Sequence, residues 1–342
     1  MGELQIHSFE ECLSLAGAKK HILLGNGFSI ALKPDIFSYG SLYSKADFST
    51  VPHAAEVFNA LATQDFEAVI RLLVDMAKVL KCYDDTSPGL VEQIEKDSAA
   101  IKTILAEAIA RNHPDRPYDI KNEQYAACRA FLSHFEHIYT LNYDVLLYWA
   151  LMHDEVDELH IRCDDGFRHP EGNEDAPYVS WQDSNSPTVH FLHGALHIFD
   201  AGHEITKYTW SKTDIPIVDQ VRSALDEEKY PVFVAEGHSR DKLDKIMHSA
   251  YLHKALRSFS SISGSLFVFG HSFDDNDDHV LSKIPQGRIT ELFVGLYGDP
   301  NSESNKAIIA KAFSFTDLRA GIPRKNKLSV RFFDVGTAKV WG

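Results

Sequence analysis

Short apolar runs recur along this chain and alternate with stretches of helical spacing. Seven of them have the length and content of buried strands: Ile22–Leu24, His137–Leu141, Val189–Leu192, Pro231–Ala235, Leu266–Phe269, Glu291–Leu296 and Ser329–Phe333. Several carry β-branched or aromatic residues and stop at Gly, Asn or Asp. Between them lie helical stripes. Leu243, Ile246, Met247, Ala250, Tyr251 and Leu256 recur at about 3.6 residues per turn, with Lys and Asp on the other side. Ala307, Ile308, Ala310, Ala312 and Phe313 predict another helix after the run at 291. The alternation predicts an α/β fold, Rossmann-like and doubly wound around a mostly parallel sheet.

Two regions break this rhythm. From 51 to 135 the spacing is almost wholly helical, so a helical subdomain is expected there, inserted into a Rossmann-like domain of residues 1–50 and 136–342. Residues 154–188 are polar and rich in Asp, Gly, Pro and Asn, which predicts loop.

Composition narrows the partners. Asp and Glu outnumber Lys and Arg by 49 to 34, a formal charge of −15. Such a surface repels phosphate backbones and anionic membranes, so neither nucleic acid nor a membrane is an expected partner. The N-terminus lacks a basic region followed by an apolar run, and no run reaches the ~18 apolar residues of a membrane span. A cytoplasmic location is expected. Cys12, Cys82, Cys128 and Cys163 form no C-x-x-C pair, which argues against a zinc ribbon or a disulfide framework.

Four strand ends finish in polar clusters: Gly25-Asn26-Gly27-Phe28-Ser29, Thr140-Leu141-Asn142-Tyr143-Asp144, His193-Gly194 and Gly270-His271-Ser272. In an open parallel sheet these ends converge on one crevice where ligands bind. The glycine turn has the flexibility of a phosphate cradle, with Ser29 near a helix start, although the third glycine of the dinucleotide fingerprint is missing. Each cluster has a plainer alternative. The glycine turn could be a tight corner, Asp144 or Ser272 a helix cap, and His193 a hydrogen-bonded core histidine. The acidic run 274–278 mimics the first positions of a calcium loop, but His279 and Pro285 stand at its sixth and twelfth positions, so a solvated turn is expected. His193 and His197 are four apart, yet Gly194 and the lack of an intervening Glu argue against a zinc helix. No metal is expected. A serine hydrolase built on Ser272 is a less favoured alternative, because His279 is the one histidine that follows it and the triad is hard to complete in that order.

Taken together, GNGFS, TLNYD, HG and GHS resemble the motif set of the sirtuin-like superfamily, in that family's order. Longer segments, among them DFEAVIRLL, LHGALHIFD and FGHSFDDND, resemble an uncharacterised bacterial sirtuin-like family over nearly the whole chain. The four-cysteine ribbon of the protein deacylases is absent, which sets this chain apart from them. Ribbon-less bacterial members are similar to NAD hydrolases that deplete the cofactor in defence against phage.

The resemblance therefore implies cleavage of the nicotinamide–ribose bond of NAD, which is the substrate. It implies Asn142 and His193 as catalytic residues, with His193 the general base. Gly25, Asn26, Gly27, Phe28, Ser29, Asp144, Gly270 and Ser272 would bind the dinucleotide. It also implies control by an activating protein partner or by homo-oligomerisation. The alternative is a non-catalytic sensor of NAD or ADP-ribose, since the binding residues alone would serve it.

Overall fold

The computed structural model describes residues 4–83, 88–183, 186–209, 213, 215–227, 229–323 and 326–342. Residues 1–3 of the N-terminus and 184–185 of the polar stretch lie outside these.

Seven strands form a central sheet: β1 (Ile6–His7), β2 (Lys20–Leu24), β3 (His137–Thr140), β6 (Val189–Phe191), β10 (Ser263–Phe269), β11 (Arg288–Leu296) and β12 (Ser329–Asp334). Their order is β1-β12-β11-β10-β2-β3-β6, and every pairing is parallel. Counting β2, β3, β6, β10, β11 and β12 as first to sixth, the sheet reads 3-2-1-4-5-6 from the β6 edge. That is the order of doubly wound dinucleotide-binding folds, with its switch point between the first and fourth strands, here β2 and β10. Helices cover both faces, which is why Ile22, Leu23, Leu24, Leu266 and Phe267 are all fully buried.

A second, antiparallel sheet holds β4 (Phe167–Arg168), β5 (Tyr178–Trp181), β7 (Gly194–Asp200), β8 (Ile205–Tyr208) and β9 (Pro231–Phe233), in the order β4-β5-β8-β7-β9. Two expectations are corrected by it. Residues 154–188 are not all loop, because β4 and β5 lie within them. Pro231–Phe233 pairs with β7 and takes no part in the parallel sheet. Strands of two to four residues amid Asp, Gly and Pro carry too little apolar patterning to be read locally; their partners define them.

The chain crosses from one sheet to the other at His193-Gly194. Gly194 has φ +76, and a Cβ there would lie 1.8 Å from the Val232 carbonyl oxygen, so this turn admits only glycine. The stripe from 243 to 256 is two helices, Ser239–Met247 and Ala250–Ser261, because Ser249 caps the second by accepting from the Leu252 amide. Between β2 and β3 the chain is helical, its longest helices being Phe66–Leu80 and Pro88–Asn112. Among the described residues, no helix is long and apolar enough to cross a membrane.

At the switch point the loops after β2 and β10 are in backbone contact. The Gly25 amide donates to Phe269 O (2.9 Å) and the Gly27 amide to Gly270 O (2.8 Å). A Cβ on Gly27 would stand 2.5 Å from Gly270 Cα. Gly27→Ala is therefore expected to cost about 1–3 kcal/mol of stability through overpacking, measured by urea unfolding. An unchanged midpoint would show that the loops separate freely.

Candidate functional site

Three loops and two helices at the carboxyl ends of the parallel strands enclose a buried network of charged and hydrogen-bonding side chains. Lys242 lies at its centre, fully buried, on the helix Ser239–Met247. Its ammonium donates to Glu67 Oε2 (2.6 Å) on the inserted helix Phe66–Leu80 and to Asp277 Oδ1 (2.9 Å) in the loop after β10. Burial of an ammonium without such partners would cost several kcal/mol, so one cation ties three distant segments together.

Asp277 has two further partners. His271 donates from Nε2 to Asp277 Oδ2 (3.0 Å), while its Nδ1 accepts from the Phe273 amide (2.8 Å). Phe273 adopts a left-handed φ of +59, strain that this hydrogen bond helps to hold. His193 Nε2 stands 3.8 Å from Asp277 Oδ1 and 2.9 Å from His279 Nε2. The backbone of His193 is fixed as well, since its carbonyl accepts from the Val234 amide (2.8 Å). Tyr143, after β3, places its hydroxyl 2.7 Å from Val234 O and 3.0 Å from Glu67 Oε1, and its single proton goes to one of them.

Burial dominates the protonation states. It drives His193 well below the ordinary histidine range, against the pull of Asp277, and lowers His279 to about 4. Two neutral rings therefore face each other, one donating from Nε2 and the other accepting. Burial alone would raise Asp277, but the His271 hydrogen bond and the Lys242 charge hold it well below the usual carboxylate range. Burial pushes Glu67 up to about 6, with Lys242 opposing. Lys242 itself stays charged: burial would lower it, and Glu67 and Asp277 outweigh that.

His193, Asp277 and His279 bring three ligating atoms within 4.8 Å of one another. Lys242 already supplies the positive charge at Asp277 Oδ1 that a divalent ion would have to displace.

The residues singled out in the sequence fall into two groups. Ser29, Asn142 and Asp144 form a separate buried cluster, in which Ser29 donates to Asp144 Oδ2 (2.5 Å) and accepts from Asn142 Nδ2 (2.9 Å). Asp144 also caps the helix Leu146–Met152 through the Leu146 amide (2.9 Å), and burial raises its carboxyl. His193 belongs to the other network, and the alternation of the loop explains the split: Asn142 and Asp144 face Ser29, while Tyr143 faces Glu67 and His193.

Ser29 is the third residue of the short helix Gly27–Leu32 and its hydroxyl binds the loop after β3. Gly25, Gly27 and Gly270 are glycines because their backbones touch one another. Phe28 is buried against Trp341, whose indole donates to Phe28 O (2.9 Å). Asn26 donates to Phe37 O (3.2 Å). Ser272 is exposed, and His279 faces Ser239 (Nδ1 to Oγ 3.3 Å), which leaves Ser272 without the histidine that a hydrolase would need. The acidic run is not simply a solvated turn. Asp275 and Asp278 are held by Lys311 (2.5 and 2.8 Å), but Asp277 points inward.

Glu67 and Lys242 were not singled out in the sequence because each sits in a helical stretch with an ordinary solvent-facing explanation, and His271, Asp277 and His279 lay in segments that were noted but gave them no role. The one available signal was the density of titratable residues within the nine residues from 271 to 279.

The architecture and this crevice define the class, a doubly wound α/β protein with a polar network at the carboxyl edge of its sheet. Within that class the chain belongs to the family described as "Domain of unknown function (DUF4917)", whose model matches residues 22–341. A comparison with curated proteins found no match.

Lys242→Met should cost about 3–5 kcal/mol, since Glu67 and Asp277 would be left buried without a counter-charge; chemical denaturation measures it. A loss within about 0.5 kcal/mol would mean that water reaches both carboxylates.

Acid sensitivity follows from the histidines. His21, His113 and His279 are lowered to about 4 and His190 to about 3, chiefly by burial. Below about pH 6.5 the unfolded chain binds protons that the folded chain refuses, so stability falls as pH drops towards 4. Glu67 acts in the opposite direction between its unfolded value of 4.5 and about 6, because there the folded state holds the extra proton. Four histidines outweigh one carboxyl, and the melting temperature should fall steadily from pH 7 to pH 5.

Proposed function

We propose that this protein is a sirtuin-like NAD hydrolase that cleaves the nicotinamide–ribose bond, in the setting of bacterial NAD depletion against phage. The observation that carries the reading is His193. It is a neutral imidazole beyond the carboxyl end of β6, beside the Asp277 carboxylate, in a sheet whose strand order is that of dinucleotide-binding folds.

The chemistry asks little of an acid, because the leaving nicotinamide departs as a neutral ring from a cationic one. It asks for stabilisation of positive charge developing on the ribose and for removal of a proton from the attacking water. In this reading His193 takes that proton. Asp277, 3.8 Å from Nε2, stabilises the imidazolium that results. Asn142 orients the ribose or the water, and Ser29 and Asp144 hold Asn142 in place.

A second reading, a non-catalytic sensor of NAD or ADP-ribose, is favoured by burial. His193 is 2% exposed and Asn142 8%, so the site as described is closed. An activating partner or self-association that opens it would reconcile the two readings.

Purified protein incubated with NAD and followed by liquid chromatography tests the proposal. Release of nicotinamide and ADP-ribose by the wild type is expected, with a ~10²–10⁴-fold loss in His193→Ala and a clear loss in Asn142→Ala. Equal turnover in wild type and variants would remove both residues from the mechanism. A thermal shift with ADP-ribose but no product would establish the sensor.

A further inference from the structure

Beside the buried network lies a cleft of about 420 Å³, between the inserted helix Phe66–Leu80 and the start of the helix Ser239–Met247. Its lining mixes both signs, but most of the charges are already matched. Asp275 is held by Lys311, Lys78 lies 3.9 Å from Asp241, and His238 is 2.7 Å from Asp75. Arg71 and Arg240 are left over: among the described residues neither guanidinium has a hydrogen-bond or ion-pair partner. In a chain of charge −15, two open guanidiniums at one cleft are a local arrangement for an anion, and their planar fork matches phosphate oxygens.

The backbone supports the same ligand. A Cβ on Gly237 would lie 2.3–2.4 Å from the backbone and Cβ of Arg71, so glycine lets the two segments touch. That contact brings to the cleft the first turn of the nine-residue helix Ser239–Met247, whose N-terminus has no side-chain cap. Asn276 is on the cleft wall, but its Oδ1 is shut off from solvent and so from a ligand in the cleft. Asn276 also donates to Glu67 (2.7 Å), and Ser239 accepts from the His279 amide (2.7 Å), so the cleft stands one side chain away from the network around His193.

The geometry points to this cleft as the binding site for a phosphate-bearing ligand, with Arg71, Arg240 and the helix amides on the phosphate. The glycine turn at 25–29 is a poorer phosphate site, because the Gly25 and Gly27 amides already donate to the loop after β10. That the phosphate belongs to NAD or ADP-ribose rests on the proposed function; its capture here does not.

Calorimetric titration with ADP-ribose and with inorganic pyrophosphate tests the site on the full chain. Relative to wild type, Arg71→Gln with Arg240→Gln should weaken ADP-ribose at least tenfold, while Lys81→Gln, on another groove, leaves it unchanged. Wild type that binds neither probe, or a double variant that binds as well as wild type, overturns the site. Should the double variant fail to fold, hydrogen exchange on wild type decides. Protection by ADP-ribose at 71 and 237–241 supports the site, and protection confined to 25–29 overturns it. Binding here with no NAD turnover would leave this site standing and remove the enzyme; turnover indifferent to both arginines would do the reverse.

Discussion

One buried ammonium organises the functional end of this protein. Lys242 is fully enclosed and answers two carboxylates, Glu67 from the helical insertion and Asp277 from the loop after β10. A cation in such a place is tolerated only with its partners in position, so the insertion, the second-sheet side and the parallel sheet are bound to one arrangement. The same charges set the local chemistry. Lys242 helps keep Asp277 ionised, while burial holds His193 and His279 neutral at ordinary pH despite that carboxylate, and the two rings hydrogen-bond to each other.

Two glycine contacts give this arrangement its geometry. Gly194 turns the chain from the parallel to the antiparallel sheet at a point with no room for a side chain, which fixes His193 at their junction. Gly25, Gly27 and Gly270 let the loops after β2 and β10 meet at the switch point of the 3-2-1-4-5-6 sheet. Glycines that read as a ligand cradle thus serve chain-to-chain contact. The open positive charge lies elsewhere, at Arg71 and Arg240.

The helical insertion is part of the site and more than an appendage to it. Its helix Phe66–Leu80 carries Glu67 into the network and Arg71 onto the cleft, one helical turn apart on one face. Access to His193 is therefore coupled to the seating of this helix.

Much of the fold was legible in the chain. Continuous apolar runs marked six strands of the parallel sheet, because strands buried on both faces need no polar partner positions. The strand-end clusters, the helical insertion and the histidine at 193 were visible for the same reason: local composition carries them. The antiparallel sheet was not, since strands as short as Phe167–Arg168 exist only through their neighbours. Nor was the division of the site, in which Asn142 and Asp144 turn to Ser29 and Tyr143 to Glu67. Lys242, Glu67 and Asp277 lie 35 to 210 residues apart in sequence and look like surface charges in it. Hydrophobic periodicity is a local property that the sequence determines by itself. Which charges are buried together depends on distant segments meeting, and the tertiary structure alone decided that.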